Sequence, residues 1–268
     1  MIKQILGQSI KKPLNFLGKD VISSGVYHYK NKSIDAITVV EKLFKEFLHA
    51  DFDNENPMRQ ELLADLMGVD TMEGLYICYY LNKSLSVEGD LCEFGVAQGR
   101  TTTLMANEIM NTDKKMYLFD SFEGLPAPTK EDELIDDIFE LGSINAYTGK
   151  MSCPRKLVEA QLANLGFPEN RIEIIPGMFN DSLKNAKKLP EKVAFAFVDF
   201  DFYLPIIQAL EFLHPRVSTG SNIVIDDYKY FSSGVEKAVK EFQDKYLNQY
   251  ELVIPKTPAK NFAMLVRK

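Results

Sequence analysis

Two short runs place carboxylates in pairs at the ends of apolar segments: Val198-Asp199-Phe200-Asp201, and Ile225-Asp226-Asp227-Tyr228 further along. Carboxylates gathered in one place repel one another unless protons or a cation intervene. Hard oxygen donors of this kind suit Mg²⁺, Mn²⁺ or Ca²⁺. Separate solvated turn carboxylates would need no cation, but both pairs fall at strand ends that an open α/β sheet sets side by side, which favours a shared site. A third stretch, Glu93-Phe94-Gly95-Val96-Ala97-Gln98-Gly99, leads into the Thr-rich run Thr101-Thr102-Thr103. Gly95 and Gly99 permit backbone angles or close approaches that a side chain would block. The helix start behind them offers free N–H groups to an anionic ligand, although a plain strand-to-helix turn has the same outline. Asp120 ends another apolar run, 27 positions after Glu93, where a carboxylate can accept hydrogen bonds from a ribose diol or cap a helix ahead of Ser121. His28, His49 and His214 have no partner pattern and read as surface or helix-end residues. Without a poised imidazole, a hydroxyl must lose its proton some other way; coordination to a metal lowers the pKa of a bound oxygen directly.

The elements that must hold these residues follow from the periodicity. Strands are expected at 91–94, 115–120, 171–176, 193–198, 221–225, 251–254 and 262–266. Helical patterns fill 101–110, 155–165, 204–213 and 235–246 between them. Strands separated by helices of about a dozen residues mean an α/β fold with a mostly parallel sheet covered on both faces. The 193–198 run is so apolar that it must be central, and its carboxylates then sit at the C-terminal edge, where such sheets bind ligands.

Residues 1–88 read as an N-terminal helical cap, with apolar residues at three-to-four spacing around Val39, Leu43 and Phe47 and again around Leu62 and Leu66. The apolar segment 75–81 is expected to be the helix that docks on the first strand. Residues 5–21 have a weakly amphipathic pattern that favours packing against the protein or a twin subunit over a membrane surface. The run 51–57 resembles a calcium loop only superficially, because it lacks the sixth-place glycine and has Leu62 at the twelfth place. Residues 124–150 form a connection long enough to serve as a lid, with an acidic run at Asp132, Glu133, Asp136, Asp137 and Glu140.

Composition excludes several classes. A net charge of −7 argues against phosphate-driven nucleic-acid binding, and no apolar stretch is long enough to span a membrane. Three cysteines without metal-ligand spacing fit a reducing compartment, so a cytoplasmic protein is expected, with neither a disulfide frame nor a zinc site.

The glycine turn resembles the first motif of class I S-adenosylmethionine-dependent methyltransferases. The wider set resembles the macrocin O-methyltransferase family: residues 89–96, Phe119-Asp120-Ser121-Phe122-Glu123-Gly124-Leu125-Pro126, residues 176–183, Asp199-Phe200-Asp201-Phe202-Tyr203 and Asp226-Asp227-Tyr228. This resemblance covers roughly residues 70–245 and implies a Rossmann-like domain over 89–268 with a seven-stranded sheet. It also implies S-adenosylmethionine and Mg²⁺ (or Mn²⁺) as cofactors, a sugar or glycosylated small molecule as acceptor, and a homo-oligomer, at least a dimer. The implied roles are Glu93, Gly95 and Gly99 at the amino-acid end of the cofactor, Asp120 and Ser121 at its ribose, and Gly177, Met178 and Phe179 along its adenine. Asp199, Asp226 and Asp227 fall on the metal ligands, and Asp199, or secondly Asp201, takes the acceptor's proton. This chain departs from the pattern at Arg100 and Phe200, where the family has glycine, and at Pro205-Ile206, where it has a Ser-Thr pair. Two rivals stand beside this reading: a metal-dependent glycosyltransferase, suggested by Asp-x-Asp after a strand, and a catalytically degenerate methyltransferase-fold scaffold subunit.

Overall fold

The computed structural model describes residues 34–48, 56, 58–255 and 261–268. The expectations for residues 5–21, His28, His49 and the 51–57 run lie outside these residues, as does the side chain of Phe47. In chain order the elements are α1 (Ile34–Leu48), α2 (Arg59–Ala64), α3 (Thr71–Lys83), β1 (Asp90–Phe94), α4 (Arg100–Glu108), β2 (Met116–Asp120), α5 (Arg155–Leu165), β3 (Ile172–Pro176), α6 (Phe179–Asn185), β4 (Val193–Val198), α7 (Tyr203–Leu213), β5 (Val217–Ile225), α8 (Ser233–Lys245), β6 (Tyr250–Val253) and β7 (Ala263–Arg267).

The strands form one seven-stranded sheet in the order β3-β2-β1-β4-β5-β7-β6. The β3, β2, β1, β4 and β5 pairings are parallel, and β7 runs antiparallel between β5 and β6, so the sheet is mixed. The α/β expectation therefore holds, with the antiparallel pair set by a short final connection that cannot make a parallel crossover. Strand order reverses between β1 and β4, which pair Phe94 with Val198. The ends of β1 and β4 are thereby neighbours at the crevice where open α/β sheets bind ligands.

Every residue of β4 is buried, as its unbroken apolar run requires. One core lies between the sheet and α3, α4 and α5, with Leu75, Ile77, Cys78 and Leu81 packed together with Phe195, Phe197 and Val224. The N-terminal helices thus share a core with the sheet. The opposite face is covered by α7 and α8 through Ile206, Leu210, Val235 and Phe242. A short helix not anticipated from the sequence, α6, follows β3 directly; its seven residues are too few to show a helical period. The three cysteines are buried and unpaired, and His214 caps the end of α7 with its ring stacked on Tyr246. Among the described residues no helix is long and apolar enough to cross a membrane.

The 124–150 connection is folded against the domain. Its neck closes through Leu125 N–H donating to the Lys150 carbonyl (2.9 Å) and Gly149 N–H donating to the Leu125 carbonyl (2.8 Å). Gly124, at φ +91°, lies so close to the Gly149–Lys150 backbone that a β-carbon would not fit. Leu125 and Tyr147 inside the loop pack on Phe202 and Phe231, which follow the two acidic runs.

Candidate active site

The glycine turn and the carboxylates meet because of one backbone contact. Gly95 directly follows β1 at φ +85°, and a β-carbon there would fall inside the van der Waals envelope of the Asp199 carbonyl oxygen. Only glycine accepts both the angle and the contact. Asp199 N–H in turn donates to the Phe94 carbonyl at 2.7 Å, so the first acidic turn is stitched to the start of the glycine turn.

On the glycine side, Asp120 lies across the turn. Its Oδ2 accepts from Val96 N–H (2.6 Å) and Ala97 N–H (3.0 Å), and its Oδ1 accepts from Phe122 N–H (2.6 Å). Ala97 and Phe122 hold left-handed φ values of +43° and +57°, backbone strain of the kind that clusters at binding sites. Gly99 caps α4 with no side-chain partner, which leaves the first N–H groups of that helix available to an anion. Glu93 is 1% exposed, with no hydrogen bond to either carboxylate oxygen. Burial pushes its pKa well above the carboxylate range, against the pull of the nearby Thr102 hydroxyl. An orphaned, buried carboxylate beside the turn is suited to an ammonium or another hydrogen-bond donor arriving with a ligand. Ser121 is committed to the loop neck, donating to the Gly124 carbonyl at 2.9 Å. Gly177 bonds back to the Asp120 carbonyl (2.9 Å), Met178 is exposed, and Phe179 is buried against Phe94, Phe119, Phe200 and Phe212.

On the acidic side, one oxygen from each of Asp199, Asp201 and Asp227 lies within 4.8 Å of the others. Asp201 and Asp227 both take left-handed φ values, +58° and +54°, which Asp tolerates better than most residues. Asp226 is buried beside this group, and its Oδ1 accepts the N–H of Asp227 at 2.7 Å. Burial, then repulsion from Asp201 and Asp227, pushes Asp199 well above the usual carboxylate range; burial and Asp199 do the same to Asp226. Asp201 is raised by burial and Asp227, and Asp227 is raised by burial to about 6. The convergent oxygens thus belong to Asp199, Asp201 and Asp227, with Asp226 buried next to Asp227 in the chain and repelled electrostatically by Asp199. An all-oxygen, crowded and partly buried donor set fits a hard divalent cation.

A fifth carboxylate, not singled out from the sequence, joins them from outside the strand-helix repeat. Glu73, in the first turn of α3, is 3% exposed, has an unpartnered Oε1 and lies within hydrogen-bonding reach of Asp226. Burial, followed by Asp226, raises its pKa well above the carboxylate range. Its signal was masked by a capping pattern: Asp70 caps α3 by accepting Glu73 N–H at 2.9 Å, so Asp-x-x-Glu reads as an ordinary helix start.

Arg100, Ile206 and Phe200, where the sequence departs from the expected pattern, each have defined packing or bonding partners. The Arg100 guanidinium donates to Asp65 (2.8 Å) and to Gln161 (3.1 Å), and Gln161 in turn donates to the Gln98 carbonyl of the glycine turn (2.7 Å). Ile206 is fully buried in the core behind α7. Phe200 packs edge-on against Phe94, with ring centroids 5.7 Å apart.

The family model described as macrocin O-methyltransferase matches residues 36–253. Among characterised proteins, the 8-demethyl-8-(2,3-dimethoxy-alpha-L-rhamnosyl)-tetracenomycin-C 4'-O-methyltransferase of Streptomyces olivaceus is 28% identical over 184 residues, 68% of each chain. The mycinamicin III 3''-O-methyltransferase of Micromonospora griseorubida is 27% identical over 194 residues, covering 70% of this chain and 73% of that one. Among solved structures, the O-methyltransferase NovP superposes with a TM-score of 0.62 at 23% identity, over 87% of this chain and 98% of that one. The calicheamicin methyltransferase CalS11 follows at 0.54 and 20%, over 85% and 91%.

Proposed function

Because the chain belongs to the macrocin O-methyltransferase family, and so is an S-adenosylmethionine-dependent O-methyltransferase, we propose that it methylates a hydroxyl of a sugar or glycosylated small molecule with the help of a divalent metal. The observation that carries this reading is the convergence of Asp199, Asp201 and Asp227 against the backbone of the glycine turn. Support for a sugar acceptor comes from the relatives, whose names specify 4'-O-methylation of a rhamnosyl-bearing tetracenomycin and 3''-O-methylation of mycinamicin III. Family membership takes the place of the glycosyltransferase alternative, and the presence of both glycines and all four strand-end aspartates speaks against a degenerate scaffold.

In this proposal Glu93 and the N-terminus of α4 hold the amino-acid end of S-adenosylmethionine around Gly95 and Gly99. Asp120, with one lone-pair direction still open after three backbone donors, receives a ribose hydroxyl next to Ser121. Residues 177–179 border the adenine, with Met178 as the exposed side chain. Asp199, Asp226 and Asp227 would hold Mg²⁺ or Mn²⁺, and Asp201, which has an oxygen within 4.8 Å of oxygens of Asp199 and Asp227, would share in the site. A bound cation would lower the pKa of a coordinated acceptor hydroxyl. The remaining chemistry is alignment: the acceptor oxygen attacks the sulfonium methyl in line, the new C–O bond forms as C–S breaks, and the electron pair returns to sulfur. The hydroxyl proton passes to Asp199 or Asp201. Residues 89–268 supply this machinery, with Glu73 as the contribution of the 1–88 region, and we propose a homodimer as the assembled form.

The test is methyl transfer from isotope-labelled S-adenosylmethionine to a panel of sugars and glycosides, with Mg²⁺ and with chelator. Product only in the presence of Mg²⁺ supports the reading. Undiminished turnover after chelation removes the metal, and transfer only to non-sugar acceptors removes the substrate class.

A further inference from the structure

We propose that Asp132, in the 124–150 loop, is a positioning residue that fixes the two acidic turns relative to each other. The proposal rests on the assignment of those turns to the reaction. Asp132 is 5% exposed although it belongs to a run of acidic residues in a loop. Its Oδ1 accepts from the Tyr203 N–H at 2.8 Å and from the Ser232 hydroxyl at 3.0 Å. Its Oδ2 accepts from the Thr129 N–H (2.8 Å) and hydroxyl (2.9 Å).

The two partners outside the loop, Tyr203 and Ser232, stand at the starts of the helices that follow the acidic turns. Tyr203 opens α7, two residues after Asp201, and Phe202 at the helix boundary supplies no side-chain cap. Asp132 supplies that cap from the loop, and a carboxylate at a helix N-terminus is also favoured by the helix dipole. Ser232 is the cap of α8, five residues after Asp227, and its oxygen also accepts from Gly234 N–H at 3.0 Å. One oxygen of one carboxylate therefore joins the starts of both helices.

Gly234 shows how closely the junction is fitted. A β-carbon there would collide with Oδ1 of Asp132 and stand 2.7 Å from the Tyr203 nitrogen. The loop is held in place around this point by Glu133 N–H to the Ser233 hydroxyl (2.9 Å), Ser233 N–H to the Glu133 carbonyl (3.0 Å) and Ile135 N–H to the Phe231 carbonyl (3.0 Å). A carboxylate that served only to solubilise the loop would not be buried and saturated in this way.

The experiment compares Asp132→Ala, Asp132→Asn and Gly234→Ala in the full chain. Expected are losses in kcat on the order of 10- to 100-fold for Asp132→Ala and Gly234→Ala, the range typical of residues that orient metal-binding carboxylates. S-adenosylmethionine affinity by calorimetry should be unchanged, because the glycine turn is not part of the junction. Asp132→Asn keeps an acceptor for Tyr203 and Ser232 and should recover most of the rate. A second readout needs no acceptor: amide hydrogen exchange at Tyr203 and Gly234 should accelerate in Asp132→Ala and not in Asp132→Asn. Wild-type kcat in Asp132→Ala at a temperature where it is folded, or a parallel loss of cofactor affinity, would overturn the proposal. If the wild type fails to bind Mn²⁺ or to methylate sugars, the functional reading fails, while the exchange data still decide whether Asp132 joins the two helix starts.

Discussion

The two halves of the crevice sit on the same sheet edge and solve opposite problems. After β1 and β2, apart from the unpartnered Glu93 carboxylate and Thr102 hydroxyl, the polar groups are reconciled: Asp120 is bridged to Val96, Ala97 and Phe122 by backbone donors, and strain at Ala97 and Phe122 is absorbed by those bonds. After β4 and β5 they are not. Asp199, Asp201, Asp226 and Asp227 stand together with Glu73 beside Asp226; burial raises the pKa of every one, and repulsion from neighbouring carboxylates adds to it at all but Asp227. The first half is a preformed cradle that a ligand bringing a cationic group to Glu93 can enter with little rearrangement. The second is an unsettled charge cluster that becomes stable only with protons or a cation. In the proposed reaction, binding of the donor and activation of the acceptor would thus be energetically separable, while the backbone of Phe94, Gly95 and Asp199 joins the two halves.

Gly95→Ala attacks the joint itself and should have the largest effect, because the methyl group has nowhere to go against the Asp199 carbonyl. We expect a destabilisation of about 4 kcal/mol or more, with cofactor and metal binding lost together in calorimetry. Asp226→Ala strikes one half only. Turnover should fall roughly a thousand-fold or more while S-adenosylmethionine binds within about threefold of wild type; a matching loss of cofactor affinity would show that the halves are not separable. Asp120→Asn strikes the other half, and should weaken S-adenosylmethionine by on the order of tenfold, leaving Mn²⁺ binding measured by paramagnetic resonance intact.

The smallest effect is on stability against pH. Asp227 has a folded pKa raised to about 6, above its unfolded value. The folded state therefore holds a proton there that the unfolded chain releases, so this contribution is fully present below about pH 4 and is lost as pH rises through about 6. Metal-free protein should lose a few degrees of Tm across that window, on the order of 5 °C, and added Mg²⁺ should restore them only on the alkaline side. A flat metal-free profile would mean that the charge cluster is not strained.

Much of this was legible in the residues. Alternating strand and helix periods, the glycines at 95 and 99 and the paired aspartates at two strand ends put these residues at one edge of the sheet, as the structure does, since each is a local signal. What could not be read depends on long-range packing. Asp132 resembles its solvated acidic neighbours until a loop brings it 71 positions along the chain to Tyr203. Glu73 hides in a capping pattern and shows its second allegiance only when α3 lies on the sheet. The choice of converging oxygens, with Asp201 ahead of Asp226, turns on left-handed backbone at Asp201 and Asp227 that a run of aspartates does not announce.

The contact between Gly95 and Asp199 also bears on how such enzymes can be recombined. A chimera that transplants the β4–α7 region of a relative to acquire its acceptor preference imports a new peptide plane beneath the donor's bend, with no cushion to absorb misfit. Crossover points drawn between those strands should give insoluble or inert hybrids, whereas exchanges that carry both strand termini as one block should keep the nucleotide end in working order.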